Sequence, residues 1–427
     1  MLKSSIYPAI IIIIILTGCK KNYIDPSRIP AENAFASARG MTGVVVGLQR
    51  TYSVSRLGCI YNSIAINGLL TNELFVPSVG NAAELQLQEG GSKVDAAHTM
   101  LTTYWKTINK IIYDANLVIA NAPKLTDKNY ASGLVAYASI FKALCIGNLA
   151  MYWEKIPDTT GANAQFISRI DGFKKAVWVL DNAIKTVQAD TISNNFNKAI
   201  PAGIDIKNTL LALKARYALF AGDYTTARTA AEAVSLTTRS VFNFEAGFPN
   251  PIFENVNNKI VQSKDDTLGL PNGLYPSATD KRVPFYVSTN TTAPRFVVAG
   301  FGTANTAPIP VYLPGEMMLI KAESYARQDR LTEALNELNN VVTKKPAMDI
   351  YGIGADQVAL IGPLAKQKIL DEIYRNRCIE LYMSGLKLED MRVDRFNRSE
   401  SERKRNFMPY PFAESDNNPN TPNNPAF

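Results

Sequence analysis

Histidine is almost missing from this 427-residue chain: His98 stands alone. One histidine cannot build a histidine-rich zinc site, and it leaves little from which to assemble a Ser-His-Asp relay. Cysteine is nearly as scarce. Cys19, Cys59, Cys145 and Cys378 are the full set, and no Cys-x-x-Cys occurs. Cys19 belongs to a leader motif described below, and the other three cannot all pair within one chain, so no disulfide framework is implied. Cys145 and Cys378 fall in apolar helical stretches and are expected to be buried thiols. There is no glycine-rich phosphate loop and no metal-ligand cluster. Acidic pairs such as Asp265-Asp266 and Glu389-Asp390 exist, but glycoside hydrolysis needs two carboxylates facing each other across a cleft, which adjacency does not supply. These absences predict a protein without catalytic activity, cofactor or metal. Past the leader, no second apolar stretch is expected to span a membrane. The formal net charge of +7 suits an anionic lipid, an acidic partner or an anionic ligand as well as it suits nucleic acid, and nucleic acid is not expected for an exported chain.

What the chain does have begins at its first residues. Lys3 precedes an isoleucine run that ends at Ile15, followed by Leu16-Thr17-Gly18-Cys19. The apolar core is about ten residues, right for a signal peptide and well short of the ~20 needed to cross a bilayer. A small-residue cleavage site with cysteine immediately after it is the pattern of a bacterial lipoprotein. Residues 1–18 are therefore expected to be a signal peptide, and Cys19 the lipid-bearing first mature residue. Each buried methylene of an acyl chain adds roughly 0.8 kcal/mol of membrane attachment. Residues 19–33 are polar with Pro26 and Pro30 and read as a tether.

From residue 34 the hydrophobic content, 46% of the whole chain against 19% charged, allows a substantial core. Helical spacing is clear over 104–122, where Trp105, Ile108, Ile112, Ala115 and Ile119 share a face and Pro123 follows. A second helix, 134–153, is apolar around most of its circumference, which predicts burial on several sides. A third covers 173–187. Trp105, Trp153 and Trp178 all lie in these patterns and are expected in the core. A helix pair follows, 210–220 and 224–234, joined by Gly222-Asp223. The same unit returns at 317–327 and 331–342, so that Ala215 registers with Ala322 and Ala227 with Ala334. Alanines at those places let antiparallel helices approach closely, and both copies resemble tetratricopeptide repeats. The copies stand about 100 residues apart, whereas a tandem array would space them by ~34.

Between the copies, residues 237–314 lose helical periodicity and are rich in Gly, Pro, Asn, Thr and aromatics. A structureless loop of that length does not suit a compact body, so short strands and ordered loops laid on the scaffold are expected, and such segments carry binding sites. The aromatic and polar residues suited to a ligand are Tyr275, Asp280, Arg282 and Tyr286, with Asn272 and Arg295, and in the earlier loop Phe75, Asn81 and Gln86. Most of the aromatics here would serve as clamps between insertion and helices. The basic residues Arg392, Arg395, Arg398, Arg403, Lys404 and Arg405 are expected to form a solvated face.

Residues 369–392 read as an amphipathic helix, a glycine break at Gly385 and a second helical piece, with Arg377, Glu380, Asp390 and Arg392 able to pair across the break. This stretch, the end of the chain (Met408-Pro409-Tyr410-Pro411, Glu414, Asn418-Pro419-Asn420, Asn424-Pro425-Ala426-Phe427), the 105–116 helix and the two hairpins together resemble the SusD/RagB family of Bacteroidetes outer-membrane lipoproteins. The chain departs from that family where Asn376-Arg377 replaces Glu-Arg, Met383-Ser384-Gly385 replaces Phe-Glu-Gly, and Ala-Phe replaces the final Gly-Tyr. The resemblance implies a mostly α fold in residues 34–427: a scaffold of tetratricopeptide-like pairs (34–236 and 315–397), an irregular insertion (237–314) and an extended tail (398–427). It also implies a non-enzymatic, surface-exposed lipoprotein that captures oligosaccharide for a SusC-like TonB-dependent transporter. A peptide-binding lid of the same kind, and a scaffold that binds only protein, are the alternatives.

Overall fold

The computed structural model describes residues 34–426. The expected signal peptide (1–18), the tether (19–33) and the lipid attachment at Cys19 lie outside the described residues. The first helix, α1 (Ala38–Ser53), starts where the Ser37 hydroxyl accepts from the Gly40 N–H at 3.1 Å. α2 (Cys59–Leu70) is buried along its whole length, and α3 (Ala82–Glu89) lies in the loop that follows. α4 (Thr99–Asn121) is capped by His98, whose Nδ1 accepts from Leu101 N–H at 3.4 Å while Nε2 contacts the Ala83 carbonyl at 2.9 Å. The lone histidine is thus a buried cap. α5 (Lys128–Tyr152) and α6 (Arg169–Ala189) begin at Asp127 and Ser168 caps. α5 is long and apolar enough to cross a membrane, which the sequence reading did not anticipate, but 94% of its apolar window is buried inside the protein. It is the central core helix, as its nearly uniform apolar circumference predicts.

The short α7 (Asn194–Ala199) leads to the first helix pair, α8 (Ile206–Phe220) and α9 (Tyr224–Glu232), capped by Asp205 and Asp223. The insertion contributes α10 (Pro251–Asn257) and α11 (Arg282–Tyr286). The second pair is α12 (Pro314–Arg327) and α13 (Leu331–Val342), after which come α14 (Lys366–Glu380), the single turn α15 (Lys387–Asp390) and α16 (Phe412–Asn417). Neighbouring helices pack in the succession α4, α5, α6, α8, α9, α12, α13, and α14 closes the row on α12 and α13. The two repeat-like pairs are therefore adjacent in space although about 100 residues separate them, and the insertion loops out between stacked units. Ala215, Ala227, Ala322 and Ala334 are all fully buried at these crossings.

Strands are short: β1 (Leu74–Phe75), β2 (Lys155–Pro157), β3 (Phe166–Ser168), β4 (Val241–Phe242), β5 (Gln262–Ser263), β6 (Val287–Thr289), β7 (Phe296–Val298) and β8 (Ile309–Pro310). They form four antiparallel pairs, β1 with β5, β2 with β3, β4 with β8 and β6 with β7. Three of the four involve the insertion, which matches the expected short strands and ordered loops.

The C-terminal stretch is an ionic lattice. The Arg377 Nε–H donates to Asp390 at 2.8 Å, one of the pairings expected across the break. Arg392 pairs with Glu389 at 3.1 Å, and Glu380 turns to the insertion. Gly385 sits at φ 78, and a Cβ there would press on the Ser63 backbone at 3.3 Å, so the break needs glycine. The basic residues expected on a solvated face are instead mostly internal: Arg392, Arg395, Arg403 and Arg405 are all buried. The tail folds back over the scaffold, and their N–H groups serve carbonyls and carboxylates inside it. Arg392 donates to the Met151 carbonyl at 2.5 Å, and Arg395 donates to Glu323 at 2.7 and 2.9 Å. Arg398 pairs with Glu402 at 2.6 Å, and Lys404 donates to the Leu69 carbonyl at 2.8 Å.

Candidate functional site

The insertion is fixed to α14 from beneath by charge. Arg282, at the start of α11, donates from Nη2 to Asp280 at 2.7 Å, from Nη1 to Glu380 at 3.2 Å and from Nη2 to Asn376 at 2.9 Å. The Tyr286 hydroxyl donates to the Glu380 carbonyl at 2.6 Å. Lys344 reaches the same Glu380 carboxylate and also Asp349 at 2.8 Å. Burial by itself would lower the Arg282 pKa; its hydrogen bonds to Asp280 and the charge of Glu380 reverse this and raise it. Burial likewise pushes the Tyr286 phenol well above its ordinary value, with the Glu380 charge adding to it.

This placement corrects three of the expected ligand residues. Asp280, Arg282 and Tyr286 are 4%, 2% and 1% exposed, and they bond to one another's neighbours around Glu380. They hold the insertion down and present no side chain to a ligand. Sequence proximity placed them in an aromatic and polar segment, and only Asn376 and Glu380, about 100 residues on, show why they turn inward.

Tyr275 is different. It is 47% exposed, and its carbonyl accepts from Arg375 of α14 at 3.2 and 2.9 Å, so an exposed ring is carried on a fixed backbone. Phe75 is half-buried on β1, opposite Gln262 of β5. Asn81 is half-buried at the start of α3. Beside β5, whose Gln262 pairs with Phe75, the structure opens a groove of about 360 Å³ between α10 and the β6–β7 hairpin. Its floor includes Gln262, whose Oε1 accepts from the Val298 N–H at 3.4 Å, and its walls carry Phe253, Asn257, Ser288, Asn290 and Thr303. Phe75 does not itself line the groove but pairs with Gln262 through the backbone, while Tyr275 stands on a separate support. The groove's polar residues escaped sequence reasoning because isolated Asn, Ser and Thr in irregular chain carry no periodic signal.

Chemically the groove offers half-buried ring surface with amide and hydroxyl groups and the exposed Lys259 ammonium around it, a lining suited to a polar ligand with an apolar face. Among the described residues no group of three or more His, Cys, Asp or Glu side chains is placed to hold a metal ion. Of the tryptophans, Trp105 and Trp153 are buried as expected, their indole N–H groups donating at 3.0 Å to Glu414 and to the Pro409 carbonyl. Trp178, expected in the core, is 62% exposed on the outer face of α6.

No protein-family model matches the chain, and no curated protein matches it. Solved structures do. A SusD superfamily protein from Bacteroides thetaiotaomicron is 16% identical, with a TM-score of 0.67 over 91% of this chain and 100% of its own. A SusD-like carbohydrate-binding protein from Bacteroides vulgatus is 14% identical, with a TM-score of 0.66 over 83% of each chain. A laminarin-binding SusD-like protein is 14% identical, with a TM-score of 0.60 over 91% of this chain and 99% of its own. The chain has the SusD-like fold, a mostly helical scaffold of tetratricopeptide-like pairs.

Proposed function

We propose that this chain is a glycan-binding lipoprotein of the SusD/RagB kind, anchored in the outer membrane through Cys19 and facing the cell surface. It captures oligosaccharide without cleaving it and passes it to a SusC-like TonB-dependent transporter. The observation that carries this reading is the SusD-like fold, shared over 83% of the chain with a SusD-like carbohydrate-binding protein and over 91% with a laminarin-binding one. The Leu16-Thr17-Gly18-Cys19 leader supports the anchor. The groove between α10 and the β6–β7 hairpin supplies the contact chemistry, and Phe75, Asn81 and the exposed ring of Tyr275 are further proposed ligand contacts outside its lining.

Calorimetry of the full-length chain in detergent, titrated with neutral oligosaccharides and with peptide mixtures, tests it. Saturable heat with a sugar and no cleavage products is the expected result. Heat with peptides alone would replace the ligand by a peptide, as in the alternative reading. Silence with both would leave a lid or scaffold that binds only protein.

A further inference from the structure

A second concave site lies apart from the groove, where three segments converge: the C-terminal turn of α1, the loop at Pro201–Ala202, and the turn at 243–248. Its volume is about 390 Å³, within the ~300–1,000 Å³ range of ligand pockets. The turn is built to hold one aromatic ring. Phe248 and Glu245 exchange both backbone hydrogen bonds, at 2.9 and 3.2 Å, around Ala246-Gly247. The Asn243 side-chain amide donates to the Ala202 carbonyl at 2.8 Å, which ties this turn to the loop beside it. The Arg50 guanidinium lies 3.2 Å from the centroid of the Phe248 ring, so the ring is held from one side by a stacked cation while remaining 37% exposed. Gln49, next to Arg50 in the pocket wall, is itself fixed by the Tyr137 hydroxyl.

Three features set the chemistry. Among the described residues, the exposed Arg50 side chain has no carboxylate partner, and its stacked, planar fork presents N–H donors in the plane of the guanidinium. Glu245, an acceptor of opposite charge, lines the same pocket and forms no ion pair among the described residues. Asn243 keeps its amide oxygen free to accept once its N–H is used on Ala202. A net anion would meet Glu245 and a net cation would meet Arg50. A neutral hydroxyl group, donor and acceptor at once, satisfies both.

We propose that this pocket is a second saccharide site, taking a neutral, hydroxyl-rich sugar residue. Phe248 and the Arg50 guanidinium give it stacking surface; Arg50, Asn243 and Glu245 bond its hydroxyls. The proposal rests on the glycan-binding reading above and extends it to two sites. The same stretch of chain, 243–257, lines both, with Phe253 and Asn257 on the groove and Asn243 and Phe248 here. Two sites on one chain raise the avidity for a glycan long enough to engage both, without any change in either site.

The test is calorimetry of the full-length chain in detergent with maltotetraose, xylotetraose and cellotetraose. The comparison is between the wild type, Phe248→Ala, Arg50→Ala and the groove variant Asn290→Ala. Phe248 and Arg50 are exposed, and circular dichroism checks that the variants keep the fold. For a sugar that binds, the expected result is two sites per chain. The same one should be weakened at least tenfold by Phe248→Ala and by Arg50→Ala, and left intact by Asn290→Ala. Unchanged binding of that sugar in both pocket variants would overturn this inference while leaving the glycan reading in place. Failure of every sugar to bind the wild type would overturn both. Binding of glycine or a dipeptide that disappears with Arg50→Ala would show a zwitterion site and overturn the assigned ligand class.

Discussion

Glu73 is a carboxylate with no exit to water. It is fully enclosed beneath β1, accepts from the Asn67 amide at 2.7 Å, and has its pKa pushed up to about 7 by burial, with Lys387 and Asn67 opposing. A raised carboxylate pKa favours the neutral form in the folded state. Its stabilising share is complete below an ordinary carboxylate value of 4.5 and is lost as pH rises through about 7. Glu73→Gln keeps the acceptor for Asn67 and removes the titration. The urea midpoint of the wild type is expected to fall between pH 5 and 8 relative to that of the variant. The interval corresponds to at most ~3 kcal/mol. A variant midpoint that falls in parallel with the wild type would show that Glu73 is not the group responsible. The tryptophans give a second contrast at this scale. Trp153 is fully buried and Trp178 is 62% exposed. Trp153→Ala should cost about 3–5 kcal/mol, and Trp178→Ala should stay within about 0.5 kcal/mol. Acrylamide should quench one tryptophan readily and two poorly. Uniform quenching would contradict this arrangement.

At the scale of elements, the contact that matters most is that of the insertion with α14. Arg282 serves Asp280, Glu380 and Asn376 from a side chain only 2% exposed. Replacing it with methionine leaves buried carboxylates short of a cation, a change that typically costs about 3–5 kcal/mol. Lys344 remains beside Glu380 and softens the loss there, so Asp280 bears most of it. Arg282→Met should lower the denaturant midpoint and speed proteolytic cleavage within 265–305, while Asp280→Asn in the same background should recover part of the stability. Cleavage unchanged from wild type would mean that the insertion is held chiefly by its aromatic contacts, such as Phe285–Tyr286 at 4.9 Å and Tyr286–Tyr382 at 5.6 Å between ring centroids.

Over the whole molecule, one apolar core runs from Met41 on α1 through α5 and the insertion to Tyr410 in the tail, with a smaller cluster among α12, α13 and α14. Because the larger core includes Phe242, Ile252, Val298 and Tyr312 from the insertion, scaffold and insertion should unfold together. Far-ultraviolet circular dichroism and tryptophan fluorescence are expected to trace the same urea transition; a separate early fluorescence step would contradict that. By itself the sequence determined what depends on neighbours a few residues away. The apolar stripes of α4 and α6, the two alanine-registered hairpins and the glycine at 385 are local matters of period and backbone freedom, and each was legible. The family resemblance, read from weak motifs in the right order, anticipated the fold. Tertiary structure alone decided which polar and aromatic side chains face water. Asp280, Arg282 and Tyr286 turn inward because Glu380 and Asn376 wait there. The tail arginines are internal because the chain folds back onto carbonyls and carboxylates it left long before. Trp178 is outside because none of the described elements covers that face of α6. Burial of an irregular segment is set by whatever packs onto it, and that partner lies far away in sequence.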